Sequence, residues 1–211
     1  MHRFSSRRQQ LAQSFLTQRL QGAHAYDRIA GYFSSSMLEV AGEALESMSG
    51  PIRVVCNSEL DAHDVATARA ANYALRRAWC AAQPERFNSP QAQDRFARLS
   101  TFLRSGKMQI KVLPDATFGL IHGKAGVITL ADGRQTCFTG SANETSRAWT
   151  LNYELVWEDD APDAIQWVQE EFEALWHSPC AVAARRVRDR GHRAPGAAHR
   201  HPTGGSVAGR A

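Results

Sequence analysis

The dipeptide Asp132-Gly133 constrains the fold more than any other feature of the chain. It stands between two short apolar runs, residues 125–130 and 135–139. Asp-Gly suits a tight turn with positive φ, and such a turn joins antiparallel strands. A hairpin is therefore expected here, and whatever precedes and follows it must line up at its open end.

The rest of the chain is read outward from that hairpin. Leu11, Phe15, Leu16 and Leu20 recur at helical spacing, which predicts a helix over 7–20. A strand is predicted over 26–33, and Ser34-Ser35-Ser36 is expected to cap a helix running to about residue 48. Ser49-Gly50-Pro51 breaks it, and residues 52–56 form a short apolar strand. The alanine- and arginine-rich stretch 62–82 reads as helix, 84–90 as loop, and 92–103 as a helix stopped by Gly106. Strand material follows over 108–113 and 119–122, with a turn over 114–117 between them. Beyond the hairpin come a helical turn over 144–149, a strand over 152–157 and an amphipathic helix over 162–176. Its Ile165, Val168, Phe172 and Leu175 are expected to face the core. Strands alternating with helices and then a hairpin-rich patch predict an α/β domain, with a mixed central sheet flanked by helices on both faces.

Composition matters mainly through where the charge lies. The net charge is +4, yet residues 185–211 hold seven arginines and one acid, Asp189. The body is left with 18 basic and 20 acidic residues, so it is mildly acidic. Three segments are expected: an N-terminal helix over 1–25, a catalytic-type domain over 26–177, and a basic, disordered tail over 178–211. The tail suits either salt-sensitive contact with polyanions or plain solvation. Cys56, Cys80, Cys137 and Cys180 are too widely spaced for a zinc site and are expected as reduced thiols. No apolar run is long enough to span a bilayer, and the Met1 end lacks an apolar leader core, so a cytoplasmic chain is expected.

The chemistry concentrates in residues 120–157. His122 and Lys124 are two apart on a predicted strand and so share a side. The hairpin returns Gly140-Ser141-Ala142-Asn143 to their level, where Ser141 and Asn143 again share a side. Imidazole, ammonium, hydroxyl and carboxamide then converge. That set suits a phosphodiester. Lys124, Ser141 and Asn143 can donate to the charged non-bridging oxygens, and His122 can attack phosphorus. A second histidine would protonate the leaving group. Glu154, on the next predicted strand, can accept from the other ring nitrogen of His122 and set its tautomer. Bland readings stand beside these. Ser-x-Asn after a strand also makes a good helix cap, Glu144 can simply favour a helix start, and Glu154 can face solvent. Trp149, Trp157, Trp167 and Trp176 read most simply as core or interface aromatics.

The run His122-x-Lys124 followed by Gly140-Ser141-x-Asn143 resembles the signature of the phospholipase D superfamily. The strings GSANET and NYE, with YDRIAGYFSSSML at 26–38, resemble its nuclease-like branch, including domains attached to superfamily 2 helicases. The resemblance implies a metal-independent, cofactor-free mechanism through a phosphohistidine. It also implies two half-sites meeting face to face. This chain carries one histidine-lysine motif and no internal repeat, so the second half-site is expected from a homodimer. One position departs from the family pattern, which has an acid five residues after the lysine: here it is Thr129. Asp132 lies nearby but in the predicted turn. The nuclease-like branch often lacks that acid, and there the later glutamate, here Glu154, supports the histidine.

The leading expectation is a phosphodiesterase acting on nucleic acid. The alternative is a non-cleaving nucleic-acid-binding module serving a helicase partner, since the chain has no GxxxxGK[ST] loop of its own. A phospholipase ranks third. No basic amphipathic helix with an aromatic edge supports membrane binding, and the body is acidic.

Overall fold

A computed structural model describes residues 1–58 and 90–183. The expected helix over 62–82, the loop before residue 90 and most of the basic tail lie outside the described residues. Among the described residues, eight strands form one mixed sheet in the order β1-β7-β6-β5-β2-β3-β4-β8. They are β1 (His2–Ser5), β2 (Ala25–Ala30), β3 (Ile52–Ser58), β4 (Met108–Pro114), β5 (Lys124–Thr129), β6 (Gln135–Gly140), β7 (Leu155–Asp159) and β8 (Val182–Ala183). Only β2–β3 and β3–β4 are parallel. The Asp132-Gly133 turn joins β5 and β6 in antiparallel register, with Lys124 opposite Gly140 and Thr129 opposite Gln135.

Helices cover both faces, as expected. On one face lie α1, a π-helical stretch Ala12–Thr17 continuing into Gln18–Leu20, then α2 (Met37–Ser47) and α3 (Pro90–Ser105). The short α5 (Ser146–Thr150) joins them, and together with β2, β3, β4 and β6 they bury the largest core cluster. The other face is covered by α6 (Pro162–Trp176), whose Val168, Phe172 and Trp176 are buried against Ile29, Val55, Leu113 and Val127. Ile165 and Leu175, expected to face the core, are only partly buried, and Trp176 is buried as well. The face is pinned by Arg53, which binds Asp27 at 2.6 Å and Glu173 at 2.8 Å while its guanidinium lies 4.8 Å from the Phe172 ring centre. None of the described helices is long and apolar enough to cross a membrane. Among the described residues, Cys56, Cys137 and Cys180 are unpaired thiols.

Several local expectations change. Residues 1–25 are not helical throughout: His2–Ser5 pair with β7, so the chain start is an edge strand of the sheet. Four residues carry too weak a period to be read as a strand without their partner. The serine run does not act as one cap. The Ser34 hydroxyl accepts from the Ser36 N–H at 3.2 Å, whereas the Ser36 hydroxyl accepts from the Ser146 N–H at 3.1 Å and so serves α5. Residues 114–117 lead into a single helical turn, α4 (Asp115–Phe118). The last long strand begins at Leu155, not at residue 152.

The expected strand over 119–122 is irregular instead. Gly119 has a φ of 89°, outside any strand conformation. The backbone bonds of this segment go to a side chain rather than to a ladder. Asn57, at the end of β3, donates to the Leu113 and Gly119 carbonyls at 2.9 Å each and accepts from the Ile121 N–H.

Candidate active site

The site lies where the parallel strands β2 and β3 end, beside the start of β5 and the end of β6. Open α/β sheets place ligands outside the carboxyl ends of their strands. Lys124 opens β5, with its ammonium half-buried and donating to the His122 carbonyl at 2.8 Å. Its pKa is held below the ordinary lysine value, by burial first and by the Arg28 guanidinium second, with Glu154 opposing. A lysine in this setting keeps two further N–H bonds for a ligand.

Asn143 is turned by the end of β2. Its Oδ1 accepts from the N–H groups of Gly31 at 3.0 Å and Tyr32 at 3.1 Å. Two backbone donors on one oxygen settle the orientation of the amide, so Nδ2 is the free end. Nδ2 hydrogen-bonds no described residue. Gly31 is the hinge of this arrangement. A Cβ there would lie 2.7 Å from the Ile121 carbonyl oxygen, 3.1 Å from Asn143 Oδ1 and 3.3 Å from Lys124 Nζ. Lysine, asparagine and the His122 loop thus meet over one glycine.

Ser141 and Glu154 form a second pair. The Ser141 hydroxyl donates to the Glu154 carboxylate and accepts from the Leu155 N–H at 3.1 Å. Glu154 is buried and also accepts from Asn152 Nδ2 at 3.3 Å. This corrects one expectation: the carboxylate orients Ser141, not the His122 ring. The His122 side chain is exposed, and its ring makes no hydrogen bond to any described residue. Its backbone is held instead, by Asn57 through Ile121 and Gly119.

The capping alternative for Ser141 and Asn143 is excluded by what caps α5. The Thr145 hydroxyl accepts from the Ala148 N–H at 3.1 Å, and Ser36 takes the Ser146 N–H. Thr129, at the position of the missing acid, sits at the other end of β5, about 17 Å along the strand from Lys124. Its hydroxyl accepts from Gln135 Nε2. Asp132 is exposed in the turn and bound to Arg134 at 2.7 Å. Neither reaches the site. Among the described residues, no three of His, Cys, Asp and Glu converge as metal ligands would.

Three residues were not singled out by sequence: Asn57, Gly31 and Arg28. Asn57 had a visible signal, a polar residue closing the apolar run Val54-Val55-Cys56. Replacing it with alanine leaves the Ile121 N–H and the Leu113 and Gly119 carbonyls without their partner. The expected cost is about 1–3 kcal/mol. Faster hydrogen exchange should be confined to the 119–123 loop, and an unchanged exchange pattern there would contradict this role.

Over residues 16–176 the chain matches the family described as "Cardiolipin synthase, PLD-like domain". No curated protein matches it. Among solved structures, it is similar to NucT from Helicobacter pylori at 14% identity and a TM-score of 0.48, covering 86% of this chain and 96% of that one. Nuc from Salmonella typhimurium, a phospholipase D family member, aligns at 17% identity and a TM-score of 0.48, over 83% of this chain and 92% of that one. Yeast tyrosyl-DNA phosphodiesterase aligns at 15% identity and a TM-score of 0.38, over 65% of this chain and 26% of that one.

Proposed function

The chain belongs to the phospholipase D-like family, and from that premise we propose that it is a metal-independent nuclease whose reaction runs through a histidine nucleophile. The observation that carries the reading is the meeting over Gly31 of the Asn143 side chain and Lys124 Nζ, with Asn143 Nδ2 and two N–H bonds of Lys124 unspent among the described residues and His122 exposed two residues before Lys124. They supply what a phosphodiester needs: cationic and neutral donors for its non-bridging oxygens, with a nucleophile at the rim.

In the proposed reaction a neutral His122 nitrogen attacks phosphorus. The P–N bond forms as the P–O bond to the leaving group breaks. The leaving oxygen takes a proton from the imidazolium of a second copy's His122. Water, deprotonated by that same second histidine, then attacks phosphorus and breaks the P–N bond. Lys124 and Asn143 hold the oxygens throughout. Ser141 reaches phosphate only by releasing Glu154, because it has one hydroxyl hydrogen, so its share in binding is the smallest of the three. Glu154 acts here as a positioning carboxylate, through Ser141 and through its charge on Lys124.

Four large apolar side chains flank the site residues in sequence. Phe118 and Leu120 precede His122, Leu151 and Tyr153 precede Glu154, and all four are exposed. A two-fold contact through these loops would cover them and bring two His122 rings together. The test is sedimentation with cleavage measured in excess chelator. A dimer of the 23.3 kDa chain that cuts DNA or RNA in chelator is expected. Leu120→Asp should give a monomer without turnover, and a wild-type monomer that cuts would sink the shared site.

One observation favours the second reading, a module that grips nucleic acid without cutting: no described group orients the His122 ring. Salt-dependent binding unchanged by His122→Ala, with no wild-type turnover, would select it.

A further inference from the structure

Beneath the site, on the face covered by α1 and α2, β2 carries a charge into the core. Arg28 is 1% exposed and Glu144 is fully buried. Arg28 Nε donates to Glu144 Oε1, and Tyr26 donates to the same oxygen at 3.1 Å. The second arm of the guanidinium donates to the Ala142 carbonyl at 2.5 Å. One arginine therefore grips the residue on each side of Asn143. The same segment is tied from above: Glu144 N–H donates to the Tyr32 carbonyl at 3.1 Å, and Ser34 N–H to the Glu144 carbonyl at 2.9 Å.

This pair is poorly explained as a device for stability. A buried ion pair is commonly no better than apolar residues of the same size. Here it is also incompletely bonded: Arg28 Nη1 and Glu144 Oε2 are buried without a hydrogen-bond partner among the described residues. What it does supply is a fixed backbone around Asn143 and a positive charge close enough to act on Lys124.

We propose that Arg28 and Glu144 are a positioning pair for the phosphodiester site, clamping residues 142–144 so that the Asn143 amide donor and the Lys124 ammonium face the same phosphate. This rests on the phosphodiester reading above. Neither residue touches substrate; both act through Asn143 and Lys124.

The test uses the full chain with Tyr26→Phe, Arg28→Met and Glu144→Leu combined, which removes the three polar ends together and leaves no charge stranded. Unchanged circular dichroism, a kcat lower by about 100-fold and a nearly constant KM are expected, because misplacement by about an ångström costs that much. A second readout does not depend on turnover. The chain has only three lysines, Lys107, Lys111 and Lys124, so 13C-methylated lysine NMR resolves Lys124. Its pKa should rise in the triple variant as the Arg28 charge goes. Inorganic phosphate should shift the Lys124 and Asn143 side-chain signals in wild type and much less in the variant. Wild-type kcat with an unmoved Lys124 pKa overturns the proposal. No phosphate response in wild type sinks the phosphodiester reading itself, whereas a response kept in full by the variant sinks only the positioning pair. Should the triple variant fail to fold, Arg28→Lys decides. It keeps the charge but lacks the forked second arm for Ala142, so lost turnover with an unmoved Lys124 pKa supports the clamp, and wild-type turnover overturns it.

Discussion

Replacing His122 with alanine is expected to abolish phosphodiester cleavage while leaving the fold unchanged. The ring is exposed and bonds no described residue, so its loss should alter stability by no more than about 0.5 kcal/mol. Its chemical loss is of another order. Removing a covalent nucleophile from a site whose members act as a unit lowers kcat by about 10^4- to 10^6-fold. Two neighbours stay in place in the variant, since Lys124 is held by the His122 backbone carbonyl rather than its ring, and Asn143 by Gly31 and Tyr32. Binding of substrate should therefore survive the substitution. The measurement is single-turnover labelling with end-labelled DNA, RNA and a phosphatidyl lipid, wild type beside His122→Ala. An acid-labile phosphohistidine on a nucleic acid, absent in the variant, is the expected result. An adduct on lipid alone would move the substrate class, and a variant that still turns over would remove His122 from the chemistry.

The largest effect on stability is expected from Phe15→Ala. Phe15 is fully buried in α1, with ring centres 5.0 Å from Phe4, 5.1 Å from Phe138 and 6.2 Å from Trp149. It thus ties β1, β6 and α5 to one helix. Truncation removes a large apolar surface and leaves a cavity walled by rings that belong to three different elements and cannot collapse together. A cost of about 3–5 kcal/mol is expected. Urea unfolding should show it as a lower midpoint with unchanged slope. A cost under about 1 kcal/mol would mean that α1 packs loosely and the N-terminal segment is an appendage. Phe138 also faces the Arg28 guanidinium at 4.9 Å from its ring centre, so the same cavity should loosen the clamp under Asn143.

The elements legible in the sequence are those whose signal is local. The Asp-Gly turn, the period of Val168 and Phe172 in α6, and Gly106 after α3 each lie within a few residues of what they determine. The elements misread are those whose partners are distant. The strand at His2–Ser5 exists because Arg3 sits opposite Trp157. The loop before Lys124 is irregular because Asn57, 64 residues earlier in the chain, takes the Ile121 N–H that a strand would have offered to a neighbour.

By itself, the sequence determined the hairpin, the alternation that makes an α/β sheet, and the residue types that can meet a phosphodiester: His122, Lys124, Ser141 and Asn143. Only the tertiary structure decided how they are held. Asn143 is aimed by Gly31 at a separation of 112 residues, and the Arg28–Glu144 pair spans 116. Glu154 went to Ser141 rather than to His122. The reason is physical: hydrophobic period and turn chemistry are written along the chain, whereas the partner of a buried polar group is whatever donor or acceptor the packed sheet brings within reach.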